Sequence, residues 1–219
     1  MRLNADFSQP VTVSPDDYEW VSSPASGVER MMLDRIGEEV ARATTIVRFA
    51  PDSQFDAHTH DGGEEYLVLE GVFSDESGDY PAGTYVRNPI GTSHTPRVGP
   101  GCTIFVKLHQ FAEDDLTPVV IDTKTADFGA TPVAGLSILQ LHKTDQEDVS
   151  LRRFEPGTRV PHHGHPGGEE ILVLGGVLQD ESGRYPAGTW IRSPVGSAHA
   201  PFSDEGCLIY VKSGHLSQL

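Results

Sequence analysis

Short apolar runs separated by turn residues recur along the chain, and no stretch keeps the 3.6-residue period of a long amphipathic helix. Thr44 to Phe49 alternates polar and apolar side chains, the period-two pattern of a half-buried strand. Glu65 to Leu69 is a short apolar run, and Gly83 to Arg87 and Thr103 to Leu108 are rich in Thr, Val, Ile and aromatics, which suit a pleated surface. Ser77-Gly78, Pro81-Ala82-Gly83 and Pro89-Ile90-Gly91 break the runs at positions where turns form readily. The pattern predicts an all-β fold, a sandwich or barrel of jelly-roll type.

The same pattern occurs twice. Phe49 to Lys107 aligns with Phe154 to Lys212 at a constant offset of 105 without a gap, and 32 of the 59 pairs are identical, far more than shared composition produces. HxHxGGEExLVLxGV stands at His58 to Val72 and at His163 to Val177, and DESG followed by YPAGT recurs at Asp75 to Thr84 and Asp180 to Thr189. The prediction is two tandem jelly-roll β-barrel domains, at 18–111 and 133–219. Residues 1–17 read as an N-terminal extension, and the acidic, proline-containing stretch 112–132 reads as a connection.

The 23 glycines and 16 prolines reinforce this picture, because many short strands need many turns. A net charge of −16 argues against nucleic acid, whose phosphates require basic surface, and against an anionic membrane face. Met1 to Pro10 contains no apolar segment, no run is long enough to span a bilayer, and two cysteines are too few for a disulfide framework. The chain is therefore expected in the cytoplasm. Cys102 and Cys207 are repeat-equivalent and read as small buried hydrophobes. The matched aromatics Tyr85 with Trp190 and Phe105 with Tyr210, together with Tyr66, read as core packing, and Arg87 and Arg192 as partners of surface acids.

Six of the ten histidines are repeat-equivalent: His58 with His163, His60 with His165, and His94 with His199. Residues two apart on a strand share a face, so each HxH pair can project into one barrel interior. Glu64 and Glu169 follow two glycines whose flexible backbone can bend the chain back toward the same point. Three imidazoles and one carboxylate form a donor set for a divalent transition metal, since a buried carboxylate without a cation is unfavourable by several kcal/mol. The expected metal ligands are His58, His60, His94 and one of Glu64 and Glu65 in the first copy, and His163, His165, His199 and one of Glu169 and Glu170 in the second, since strand alternation sends adjacent residues to opposite faces. No serine–histidine arrangement repeats, because Ala198 stands where the first copy has Ser93.

These residues resemble the cupin superfamily. Its first motif, G(X)5HXH(X)3-4E(X)6G, is matched from the first histidine onward by His58, His60, Glu64 and Gly71, and again by His163, His165, Glu169 and Gly176. The interval to the closing glycine selects Glu64 and Glu169 over their neighbours Glu65 and Glu170. The second motif, G(X)5PXG(X)2H(X)3N, is matched by Gly83, Pro89, Gly91 and His94, then by Gly188, Pro194, Gly196 and His199, with Val98 and Ser203 in place of the asparagine. More narrowly, the HxHxGGEE string with YPAGT is similar to the cupin domain of ChrR-type anti-sigma factors. That resemblance implies a duplicated bicupin with a metal-dependent regulatory or stress-sensing role. It implies zinc first among metals, with iron, manganese or nickel meeting the same ligands, and as partners a sigma factor or other regulatory protein, a small-molecule ligand, and a second copy of the chain in a homodimer. Met1 to Gly27 has no histidine or cysteine, so the zinc-binding sigma-sequestering element of that family is not expected there. The alternative is a cupin enzyme, a metal-dependent dioxygenase or isomerase acting on a small molecule.

Overall fold

The structure, a computed structural model, describes residues 1–218. The chain forms two compact units, Met1–Ala5 with Glu19–Ala126 and Asp6–Tyr18 with Asp127–Leu219, and each is a jelly-roll β-barrel. Among the described residues the only helices are two short 3-10 turns, and none is long and apolar enough to cross a membrane.

In the first unit the main sheet runs in the order Arg2–Leu3, Val28–Gly37, Ala41–Phe49, Cys102–Leu108, Glu64–Asp75, Thr84–Asn88, Val119–Asp122. The strand Glu64–Asp75 belongs to both faces of the barrel. Its first half pairs with Cys102–Leu108 and Thr84–Asn88, while its second half pairs with Gly78–Pro81 and touches Arg97–Val98. The corner between the halves is made by a bulge opposite Thr103/Ile104 and by Gly71, held at φ +71°. A bulge of this kind bends a strand sharply and increases its local twist. The second unit repeats the device in Glu169–Asp180, with a bulge between Val173 and Gly175 and with Gly176 at φ +70°.

The inward residues explain why the sheet closes. Val47, Tyr66, Val68, Val86, Ile104 and Val106 fill the first barrel, and Phe154, Ile171, Val173, Ile209 and Val211 the second. Tyr66, Tyr85, Phe105, Trp190 and Tyr210 are all buried, the core role expected of them, and so are Cys102 and Cys207, both free thiols.

The two segments read as extension and connection carry sheet edges of their own. Val119–Asp122 adds to Thr84–Asn88 in the first unit, and Val11–Val13 adds to Trp190–Ser193 in the second. Both are short β-branched runs that satisfy an otherwise open sheet edge. The barrels thus extend beyond 18–111 and 133–219. Arg87 and Arg192 also differ from expectation, being among the most buried side chains of the molecule rather than surface partners. Arg87 pairs with buried Glu65 and with Asp115 and stacks on Phe111, while Arg192 stacks on Phe7 and donates to the Asp6 carbonyl. A guanidinium tolerates such burial when its fork of donors is matched by acceptors.

Candidate metal centres

Backbone pairing brings the histidines together. In the first barrel His58 lies directly across from His94 in a two-stranded ladder, and His60 follows after its amide has bonded the Thr92 carbonyl. Gly63, at φ +76°, turns the chain so closely past Phe111 that a Cβ there would overlap the ring. That turn delivers Glu64 to the start of the long strand, where Asn88 Nδ2 donates to its Oε2 at 3.0 Å. In the second barrel His163 pairs with His199, and Gly168 makes the matching turn before Glu169.

The donor atoms of His58, His60, Glu64 and His94 all lie within 4.8 Å of one another. His94 Nε2 is 3.3 Å from the Nε2 of both His58 and His60, and Glu64 Oε2 is 3.3 Å from His60 Nε2 and 3.7 Å from His94 Nε2. Two donors bound about 2.0–2.1 Å from one tetrahedral cation stand roughly 3.3–3.4 Å apart, so the set fits a metal.

The outer ring nitrogens show which tautomer each imidazole carries. His58 Nδ1 faces the Asp56 carbonyl at 3.2 Å, an acceptor only, and His94 Nδ1 faces Asp75 Oδ2 at 3.3 Å. His60 Nδ1 lies 2.9 Å from Thr92 Oγ1, whose own proton is directed to the Pro89 carbonyl. All three Nδ1 atoms therefore carry the proton, and three Nε2 lone pairs converge on one point. Lone pairs so placed repel unless a cation lies between them. Burial holds His60 and His94 below the usual histidine range, which keeps both rings neutral and able to ligate.

The second centre shares the plan but differs in detail. His163, His165 and His199 lie within 4.8 Å of one another, with His163 Nδ1 on the Pro161 carbonyl and His199 Nδ1 on Asp180 Oδ2. Glu169 Oε1 is 3.5 Å from His165 Nε2 and 3.4 Å from His199 Nε2, yet its other oxygen faces Arg152 Nη1 at 3.8 Å. His165 Nε2 and Glu169 Oε1 are buried and make no hydrogen bond, the position of groups awaiting a cation. Burial lowers His165 to about 4 and raises Glu169, with Arg152 the largest opposing influence on the carboxyl. Burial also pushes Asp180 upward, but hydrogen bonds from His199, Ser182 and Tyr185 outweigh it and hold the carboxyl low. A cleft of about 750 Å³ opens beside His165 and His199, lined by the hydroxyl residues Thr12, Ser14, Ser182, Thr189, Ser193 and Ser197.

All eight expected ligand residues thus gather in two places, Glu169 reaching two of its three histidines. Their supports were not anticipated. Asp75 and Asp180 stand in the duplicated DESG string, so their identity in both copies was the available signal. Thr92 and Asn88 give way to Ser197 and Ser193, and Arg152 to Val47, so no identity marks them. His162 is exposed and outside the set.

A family model described as the ChrR Cupin-like domain matches residues 8–112 and again 116–217. No curated protein matches the chain in sequence. Among solved structures, a putative dioxygenase from Nostoc punctiforme superposes with TM-score 0.80 at 16% identity, covering 97% of this chain and 85% of that one. A putative glyoxylate-induced protein from Pseudomonas aeruginosa gives 0.76 at 16% identity, covering 93% and 88%. Oxalate decarboxylase of Bacillus subtilis, in a study of its Mn(II) centers, gives 0.63 at 13% identity, covering 93% and 76%. At these identities the likeness is one of fold.

Proposed function

The chain belongs to the ChrR cupin-like family, and from that membership we propose a metalloprotein in which each barrel holds one divalent transition metal and the second centre receives a small molecule for metal-assisted chemistry. The observation that carries this reading is the convergence of three imidazoles and a glutamate side chain in each barrel, with a wide cleft beside the second set. The cleft has the volume of an ordinary small-molecule site. His58, His60, Glu64 and His94 would hold one ion, and His163, His165, Glu169 and His199 the other. Zinc, iron, manganese and nickel all accept this donor set. When bound, such an ion supplies a Lewis-acid pole at which a small substrate or dioxygen can be polarised. Asp75 and Asp180 keep the proton on the outer nitrogen of His94 and His199, and the hydroxyls of the second cleft orient a polar ligand by hydrogen bonds. Of the fold neighbours whose names state an activity, one is a putative dioxygenase and the other an oxalate decarboxylase with Mn(II) centers, which supports this reading.

A second reading is favoured by the family itself. A ChrR-like pair of metal-loaded cupins could report a small oxidant to a sigma factor or another regulatory protein without turning it over. Metal analysis of protein purified without added metal, followed by dioxygen-uptake assays on small diketones and thiols, separates the two. The enzyme reading expects about two ions per chain, one lost in each of His94→Ala and His199→Ala, and turnover that disappears with His199→Ala. Stoichiometric zinc with no turnover on any substrate class would favour the regulatory reading, and a protein that takes up no metal would remove both.

A further inference from the structure

The two centres differ at one inward position. Val47 and Arg152 occupy the same place in the duplicated strand, Val47 paired with Ile104 and Arg152 with Ile209. In the first barrel this position is a buried valine within the apolar core. In the second it is a guanidinium that lines a small cavity of about 20 Å³ together with His163, Glu169 and His199. Arg152 is the single cationic side chain in that lining.

Its donors are largely unspent. Arg152 Nε lies 3.4 Å from Ser150 Oγ, a long hydrogen bond, and Nη1 approaches Glu169 Oε2 only to 3.8 Å, beyond hydrogen-bond distance. The side chain keeps 23% of its surface in contact with solvent, whereas Glu169 keeps 2%. A guanidinium offers its N–H groups in a planar fork that matches two oxygens of one carboxylate. Meanwhile Glu169, drawn toward Arg152, reaches only two of its three histidines, whereas Glu64 stands within one four-donor set. The second centre therefore combines a looser fourth ligand with an adjacent cation that makes one long hydrogen bond, approaches Glu169 only to 3.8 Å and acts on Asp148 through its charge.

We propose that the second barrel is an anion-accepting centre, in which a small carboxylate placed at the metal is paired by the Arg152 guanidinium, while the first barrel, with Val47 in that place, has no such receiver. This deepens the metal-centre reading above and rests on it. In a chain of net charge −16 the surrounding field repels anions, so a dedicated cation is what an anionic ligand requires here. The Arg152 N–H groups that Glu169 now approaches at 3.8 Å are the donors a ligand carboxylate would take over, leaving Glu169 to turn fully to the metal.

The test uses the full chain loaded with Co(II), after elemental analysis has established two ions per chain. Acetate and malonate are titrated while the visible Co(II) bands and the heat of binding are recorded. The expected result is one carboxylate bound per chain with a change in the bands of one ion, weakened at least tenfold in Arg152→Val with both ions retained. Arg152→Lys should recover part of the affinity, since charge returns without the fork, and Val47→Arg should bring a second carboxylate to the first centre. Unchanged affinity in Arg152→Val, or no carboxylate binding by protein holding both ions, would overturn the proposal and leave the metal reading intact. Failure to take up Co(II) at all would defeat the metal reading itself, and this inference with it.

Discussion

Each imidazole of these centres is useful because something else holds its other nitrogen. For His94 that partner is the Asp75 carboxylate, and for His199 it is Asp180. An ionised acceptor fixes the tautomer and increases the basicity of the ligating nitrogen, and loss of such a partner typically weakens metal binding ~10–100-fold. Asp75→Asn, which can still accept from Nδ1 but carries no charge, should weaken the first centre about tenfold, and Asp75→Ala by more. Competition with a chromogenic chelator measures this, with the second centre unchanged as internal control. Equal affinity in all three proteins would show that Asp75 only packs. The buried thiols give a second residue-scale prediction. Burial pushes Cys102 up to about 12 and Cys207 up to about 11. A raised thiol pKa favours the fold below the unfolded value, near pH 9, and that contribution is lost as pH rises through 11 to 12. The folded chain should thus resist iodoacetamide at pH 8 and become reactive only with denaturant or strong alkali, while rapid labelling at pH 8 would contradict it. At this scale the ligands were legible because identical spacing appears twice, and the cysteines because glycine and β-rich neighbours offer no cation. Arg152 was not, since a single arginine among strand residues carries no sign of the cavity that tertiary packing places around it.

The element that makes each centre is the long strand that begins at the acidic ligand and turns the barrel corner. Glu64–Asp75 supplies Glu64 at one end and Asp75 at the other, and Glu169–Asp180 does the same. Its corner depends on a glycine for two reasons. Gly71 lies in the left-handed region at φ +71°, and a Cβ there would stand 2.0 Å from the Gly101 carbonyl oxygen. Gly176 repeats both features against Gly206. Backbone atoms cannot move aside as a flexible side chain would. Gly71→Ala should therefore destabilise the first unit by on the order of 3 kcal/mol, combining backbone strain with overlap, and should disturb the spacing of Glu64 from Asp75. Thermal unfolding should show the first unit melting earlier and the second unmoved, with the mirror image in Gly176→Ala. Two unaltered transitions would mean that the corner is set by the bulge alone. The strands themselves were legible from period-two patterning and punctuating prolines and glycines. The corner was not, because a run that stays apolar while changing sheets looks the same as one that runs straight. The buried pairing of Arg87 with Glu65 was equally hidden, since an arginine on a strand edge reads as solvated until its acceptors are seen.

At the scale of the chain, neither barrel is a contiguous stretch of sequence. The second barrel includes Asp6–Tyr18, which lies before the first barrel's main segment. Val11–Val13 pairs along Trp190–Ser193, Phe7 stacks on Arg192 at 4.1 Å, and Tyr18 hydroxyl donates to the Gly188 carbonyl. Pro10, Thr12 and Ser14 also form a wall of the cleft beside His165 and His199. The apparent extension is thus part of the second site. It read as an extension because the repeat is strongest from Phe49 onward, and the short β-branched segments Val11–Val13 and Val119–Asp122 correspond at a different offset from the rest. Removing residues 1–18 should lower the stability of the second unit by on the order of 3 kcal/mol, the sum of lost cross-strand pairs and a cation–π contact. The first unit, which loses the two-residue edge Arg2–Leu3, the hydrogen bond from Asn4 to the Leu33 carbonyl and the exposed contacts of Met1 with Gly37 and Glu38, should be destabilised less than the second. A synthetic peptide of residues 6–18 added in trans should restore the second transition in proportion to its concentration, because a ligand that binds only the folded form stabilises it by mass action. Loss of the first transition instead, or a peptide with no effect at millimolar concentration, would show that this edge strand does not hold the second barrel together.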